Sequence, residues 1–172
     1  PIEVDAFTEC HVTPPAVAAR MVDYLGPVGD FLTLEPSAGT GNLLAALFES
    51  GHSVNETVAM ERHHSLCQAI RQRFANTHPI NPMQECFLDY AQENACRAQF
   101  PRILMNPPFR SVRKHMAAAL SLLGRGGHDC PAVLVALVPV TYQHDDIEFL
   151  EELPNDIFAA CTVNTKLVRF TV

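Results

Sequence analysis

Residues 31–44, Phe-Leu-Thr-Leu-Glu-Pro-Ser-Ala-Gly-Thr-Gly-Asn-Leu-Leu, constrain the fold of this chain more than any other stretch. An apolar run that reads as a strand breaks at Glu35-Pro36 into a turn holding Gly39 and Gly41, then passes directly into an apolar run that reads as a helix. Glycines in such a turn let the main chain approach a ligand closely, because they carry no Cβ. No third glycine stands at dinucleotide spacing and no Gly-Lys-Ser/Thr follows. Neither a nicotinamide cofactor nor a nucleoside triphosphate is therefore expected.

The rest of the chain repeats the alternation of strand and helix. Thr13-Pro14-Pro15 reads as a helix start, with Thr13 as cap, a proline in the first turn and Val17, Ala18, Met21, Val22 and Leu25 at helical spacing up to Gly26-Pro27. Strands are expected at 31–35, 57–60, 86–88, 102–105 and 132–138, with two more in 156–172 joined near Val163-Asn164-Thr165. Helices are expected at 43–49, 63–75 and 111–123, the second marked by Leu66, Ile70 and Phe74 at four-residue intervals. The run Ala132 to Val138 is almost continuously apolar, as in a sheet covered on both faces. The expectation is an α/β fold: a doubly wound, mostly parallel seven-stranded sheet with a C-terminal antiparallel hairpin and helices on both faces. One domain is expected to fill residues 1–172, with nothing left over for a separate recognition domain.

In such a sheet ligands bind outside the carboxyl ends of the strands, where strand order reverses. Asn106-Pro107-Pro108-Phe109 follows directly on the apolar run Ile103-Leu104-Met105 and so falls at such an end. Two hydrogen-bond acceptors on a stiff turn suit chemistry on a planar amine, whose lone pair is delocalised into the π-system. The Asn106 side-chain carbonyl and the main-chain carbonyl of Pro107 supply them, and proline has no N–H to compete. Phe109 offers a ring for a flat substrate to stack on. The tetrapeptide also reads simply as a loop after a buried strand. Glu61 ends the second expected strand, 20 residues past Gly41 (61 − 41). That place suits an acidic side chain accepting ribose hydroxyls, or a solvated glutamate at a helix start.

The two segments together carry a resemblance. Glu35-Pro36-Ser37-Ala38-Gly39-Thr40-Gly41-Asn42 resembles the cofactor loop of class I S-adenosylmethionine-dependent methyltransferases, and Asn106-Pro107-Pro108-Phe109 resembles the catalytic motif of their amino-methylating branch. Within that branch the order of motifs is most similar to adenine-N6 DNA methyltransferases. The resemblance implies S-adenosylmethionine as cofactor, held by Glu35 to Gly39, Gly41, Glu61 and Arg62. It also implies cofactor contacts from Asp89 and Tyr90, as an Asp-Phe/Tyr pair at the adenine, and from Asn106. Phe7 and Thr13-Pro14 resemble the family's amino-terminal Phe-x-Thr-Pro element, lengthened here by Cys10, His11 and Val12, while Thr13 also reads as a plain helix cap.

The implied substrate is the exocyclic amine of a base, adenine N6 in DNA before RNA. RNA adenine or guanine methylation, protein glutamine methylation and a catalytically silent cofactor-binding module are the alternatives. Arg110, Arg113 and Lys114, beside His115, form a basic cluster just after the turn that reads as a phosphate contact or as a solvated helix face. Against a broad phosphate-binding surface stands a net charge of −7. Specificity is therefore expected from a separate subunit or domain. The six cysteines include no Cys-x-x-Cys pair and read as reduced core thiols, and no metal is expected from the scattered histidines. The longest apolar stretch, 131–140, is too short to span a membrane, so a cytoplasmic location is expected.

Overall fold

The computed structural model describes residues 12–155, 157 and 163–172. Phe7, Cys10, His11, Cys161 and most of the first half of the expected C-terminal hairpin lie outside them. Helix α1 (Pro15–Leu25) precedes β1 (Thr33–Glu35), α2 (Asn42–Glu49), β2 (Thr57–Ala59) and α3 (His64–Phe74). Then follow α4 (Phe87–Asn94), β3 (Arg102–Met105), α5 (Val112–Leu122), β4 (Val133–Pro139), β5 (Glu148–Glu152) and β6 (Thr165–Thr171). The sheet runs in the order β2-β1-β3-β4-β6-β5, with β2, β1, β3 and β4 parallel and β6 antiparallel to both β4 and β5. From β1 the chain crosses first to β2 on one side and then to β3 on the other. Strand order thus reverses between β1 and β3, which opens a crevice at their carboxyl ends.

Alternation along the central strands divides the core between two faces. Leu104, Val135 and Leu137 pack with α1, α2 and the Ile70 and Phe74 side of α3. Ile103, Met105, Leu134, Ala136 and Val138 pack with Phe87 and Ala91 of α4 and Met116, Ala119 and Leu122 of α5. Burial on both sides is why β3 and β4 read as unbroken apolar runs.

Among the described residues the sheet has six strands, not the expected seven. The run Cys86-Phe87-Leu88 is not a strand but the start of α4, and the expected third parallel edge strand is reduced to a single parallel bridge between Met60 and Met83. Phe87 and Ala91, four residues apart, bury one side of a helix against the core, and a three-residue apolar run cannot distinguish that period from a strand's. A second correction concerns β5. Its sequence Glu-Phe-Leu-Glu-Glu is acidic and carries a register shift between Phe149 and Glu151, as edge strands do to discourage further pairing. Arg169 on β6 holds it with a two-pronged contact to Glu148 at 2.7 and 2.8 Å. The antiparallel pair at the C-terminal end therefore draws its first strand from 148–152, upstream of the expected position.

Two smaller readings also change. Helix α1 begins at Pro15 after Pro14, whose carbonyl accepts the Val17 and Ala18 N–H groups at 3.0 Å, so Thr13 is not its cap. Of the described cysteines only Cys67 is buried; Cys96 is exposed, and Cys86 and Cys130 are half-buried.

Candidate active site

The crevice holds a cleft of ≈ 220 Å³ bordered by the glycine loop, the segment after β2, the start of α4 and the turn after β3. Main-chain hydrogen bonds set the loop against the end of β2: Ala38 N–H donates to Met60 O at 2.9 Å and Met60 N–H to Glu35 O at 2.8 Å. Glu61 completes the attachment. Its Oε2 accepts the Gly39 N–H at 3.0 Å and its Oε1 the His63 N–H at 2.8 Å, in a site where the residue is nearly buried. Glu61 thus holds the loop in shape besides facing the cleft. Glu61→Ala is expected to lower thermal stability as well as ligand affinity, because two charge-assisted hydrogen bonds of ~1.5–3 kcal/mol each are lost. Melting curves with and without ligand separate the two effects.

The two loop glycines do different work. Gly39, at φ 53°, borders the cleft. Gly41, at φ 82°, is the residue before α2 and does not border the cleft; a Cβ there would stand 3.0 Å from the Phe74 ring. Its place beside Phe74 and Ile70 of α3 ties it to the packing of α2 on α3.

A chain of side-chain bonds ties the loop to the turn after β3. Arg73 Nη1 donates to Thr40 O and Asn42 Oδ1, both at 2.8 Å, and Asn42 Nδ2 donates to Thr13 O at 2.7 Å. Asn106 Nδ2 in turn donates to Thr13 Oγ1 at 2.9 Å. In this arrangement Nδ2 is the donating branch of the Asn106 amide and Oδ1 its accepting branch. Thr13 therefore links the amino-terminal segment, the start of α2 and the Asn106 turn.

Glu35 is the electrostatic oddity of the site. Its Oε1 accepts the Ser37 N–H at 3.0 Å, while buried Oε2 has no hydrogen-bond partner among the described residues. Burial pushes the carboxyl up from 4.5 to about 8; the Ser37 bond pulls it down, and the negative charge of Glu61 raises it. Folded Glu35 keeps its proton until pH nears 8, whereas an unfolded one loses it near 4.5. Its contribution to stability is accordingly complete below 4.5 and is lost as pH rises through 8. The ligand-free parent should lose stability relative to Glu35→Gln on going from about pH 5 to about pH 9, by a few kcal/mol. Chemical denaturation of both proteins across that range checks it.

Of the residues singled out from sequence, Thr13, Glu35, Pro36, Ser37, Ala38, Gly39, Glu61, Arg62, Asn106 and Pro108 border this cleft. Pro107 is buried and Phe109 half-buried, packed against the core cluster of α1 and α2; neither borders the cleft. Asp89 does not end a strand: it is exposed in the first turn of α4, where an acidic side chain complements the helix dipole. Tyr90 is half-buried and packs on the other face of the sheet. The start of α4 instead brings Glu85, Cys86, Phe87 and Leu88 to the cleft. Arg110, Arg113 and Lys114 are exposed outside it, with Arg113 bordering a shallow groove beside Tyr142, Gln143 and His144. His115 leaves the basic cluster: its Nδ1 lies 3.1 Å from Ser111 Oγ, and it borders the cleft together with Ser111. Thr40 and Asn42 of the quoted loop also border it, and His63 and Leu66 are further lining residues that no motif announced.

No protein-family model matches the chain, and no curated protein does. Solved structures do. The 23S rRNA methyltransferase ErmE superposes with a TM-score of 0.69 at 14% identity, over 93% of this chain and 68% of its own. A Vibrio vulnificus protein described as a modification subunit of a type I restriction enzyme gives 0.72 at 18% identity, over 97% of this chain and 45% of its own. An rRNA methylase from Streptococcus thermophilus gives 0.59 at 13%, over 93% and 97%. These likenesses show the fold: the chain shares the Rossmann-like α/β architecture of the methyltransferases just described. Among the described residues no helix is long and apolar enough to cross a membrane.

Proposed function

We propose that this chain binds S-adenosylmethionine in the cleft and catalyses methyl transfer to the exocyclic amine of a nucleic-acid base, adenine N6 in DNA in the first instance. The observation that carries the reading is the meeting of two motifs at one switch point. The loop Glu35 to Gly39 and the turn at Asn106 border the same cleft, bound to each other through Thr13 and Asn42. The cleft's chemistry fits the cofactor. Glu35 offers a buried carboxyl oxygen in want of a partner to a cationic amino-acid end, Glu61 offers a carboxylate to ribose hydroxyls, and Leu66, Phe87 and Leu88 offer apolar surface to an adenine. We assign Arg62 to the same lining. Phe7, outside the described residues, and Gly41, Asp89 and Tyr90, away from the cleft, carry less of this proposal.

When bound, the cofactor supplies a methyl group already activated on sulfur. The protein's part is placement and electrostatics. Asn106 Oδ1 and the Pro107 carbonyl accept the amine hydrogens, drawing the nitrogen lone pair out of conjugation and stabilising the positive charge that grows on nitrogen. Phe109, anchored by its packing on the core, is the ring assigned to stacking on the base, and Pro108 shapes the turn between them. A base taken from a duplex must be flipped out to reach this depth. Arg110, Arg113 and Lys114 lie on the exposed side of the turn, suited to a phosphate backbone, and with a net charge of −7 they leave target selection to a partner subunit or domain. The likeness to a modification subunit supports DNA; that to an rRNA methyltransferase supports RNA as the second reading.

The test is incubation with methyl-labelled cofactor and separate pools of DNA, RNA and protein, followed by hydrolysis to nucleosides. Label in N6-methyladenosine or its deoxy form supports the proposal and decides the nucleic acid. Label in guanine moves it to the RNA alternative, and label in protein alone overturns it. Cofactor binding with no transfer to any pool favours the silent module.

A further inference from the structure

Glu35 ends β1 where the chain enters the glycine loop, and it borders the cleft although its side chain is wholly buried, 0% exposed. Only one of its oxygens is served, Oε1 by the Ser37 N–H. Oε2 is shielded from solvent and without a partner among the described residues. A carboxylate oxygen withdrawn from water is kept neutral or is met by a cation. Glu61 sharpens that choice. Its negative charge opposes a second charge on Glu35, while its own two oxygens are occupied by the Gly39 and His63 N–H groups. The other charged or titratable side chains bordering the cleft are Arg62 and His63 after β2, Cys86 and Glu85 before α4, and His115 on α5. None of them hydrogen-bonds Glu35 Oε2.

We propose that Glu35 is protonated in the ligand-free cleft and surrenders its proton when a ligand brings a cationic nitrogen to Oε2, so that cofactor binding releases a proton to solvent. This rests on the cofactor reading above, which already pairs Glu35 with the ammonium end of the ligand, and adds that the pairing is tied to a proton. The balance is complete. The Glu35 O–H bond breaks, the proton passes to buffer, and the carboxylate left behind pairs with an ammonium that keeps all its hydrogens. The upward displacement of the Glu35 carboxyl to about 8 is what the ligand-free state requires. Proton release should then be nearly complete at about pH 6.5 and absent at about pH 9.5, where Glu35 is already ionised before the ligand arrives.

The experiment is titration calorimetry with S-adenosylhomocysteine, which has the ammonium and undergoes no transfer, in buffers of different ionisation enthalpy. At about pH 6.5 the observed heat should vary with buffer enthalpy with a slope of about one proton released per ligand. By about pH 9.5 the parent and Glu35→Gln should give the same slope, set only by the proton that the ligand's own amine takes up, whereas at about pH 6.5 Glu35→Gln should release none. 5′-Methylthioadenosine, the same adenosine without the ammonium, should bind more weakly and release no proton. A parent that binds S-adenosylhomocysteine with no dependence on buffer overturns the proposal and leaves the cofactor reading intact. So does a slope retained in Glu35→Gln at about pH 6.5, or proton release by methylthioadenosine there. No binding of S-adenosylhomocysteine in any buffer defeats the cofactor reading itself. Should Glu35→Gln fail to fold, the parent at about pH 6.5 decides alone, since the ligand's amine is already protonated there and the absence of proton release contradicts the assignment.

Discussion

Gly39→Val is expected to weaken binding of S-adenosylhomocysteine by 10²-fold or more. Gly39 sits at φ 53°, a region that a β-branched side chain occupies only under strain, and it borders the cleft directly. Strain of ~1–3 kcal/mol is relieved only if the loop shifts, and a shift breaks the Gly39 N–H bond to Glu61, ~1.5–3 kcal/mol more. Together these reach the ~2.8 kcal/mol that a hundredfold loss requires. Gly41→Ala should fail differently. Its φ of 82° and the Phe74 ring 3.0 Å from the new Cβ place the penalty in the packing of α2 on α3, so melting temperature falls first and affinity follows. Calorimetry beside thermal melts distinguishes the two. Equal affinity in Gly39→Val and parent would mean that the loop does not touch the ligand.

Much of this arrangement is legible in the sequence. The strand–glycine–helix sequence at 31–44 and the apolar runs at 102–105 and 132–138 are strong signals because burial on both faces removes the ambiguity of period, and they placed Glu35, Gly39 and Asn106 at the sheet's carboxyl edge. What failed was short, or was decided by tertiary context. Cys86-Phe87-Leu88 is too brief to show a period, so the start of α4 read as a strand and Asp89 was expected at a strand end. Glu148–Glu152 is acidic because it is an edge strand, and intrinsic propensity argues against a strand that Arg169 and pairing with β6 stabilise. Thr13 beside two prolines looks like a cap, whereas its hydroxyl is taken by Asn106, 93 positions away. No local pattern encodes such a bond. Nor does one announce His63, Ser111 or His115, which reach the cleft because the helices that follow β2 and β3 begin there. That the turn calls for glycine at 41 is readable; that Phe74 stands beside it is not.

Asn106→Ala is the variant whose effect should be largest on chemistry alone. It borders the cleft at the carboxyl end of β3, and its amide is held by the bond from Nδ2 to Thr13 Oγ1. Deleting it removes an acceptor for the amine hydrogens, an interaction that strengthens as charge grows on nitrogen. The transfer rate should fall by ~10²-fold or more, the scale for loss of one group that stabilises a transition state. Affinity for the cofactor should stay within about tenfold, because the bond to Thr13 is neutral and worth only ~0.5–1.5 kcal/mol. Thr13→Val separates the contributions: it removes the orienting hydroxyl but leaves the amide, so its rate should lie between those of parent and Asn106→Ala.

The most direct measurement is single-turnover methyl transfer by parent and Asn106→Ala, each saturated with labelled cofactor, on the nucleic acid that accepts label, beside cofactor titrations of the same preparations. The account predicts cofactor affinities within about tenfold of each other and a transfer rate lower by about two orders of magnitude in the variant. Transfer by Asn106→Ala at the parent rate would make the turn after β3 structural and contradict the proposed mechanism.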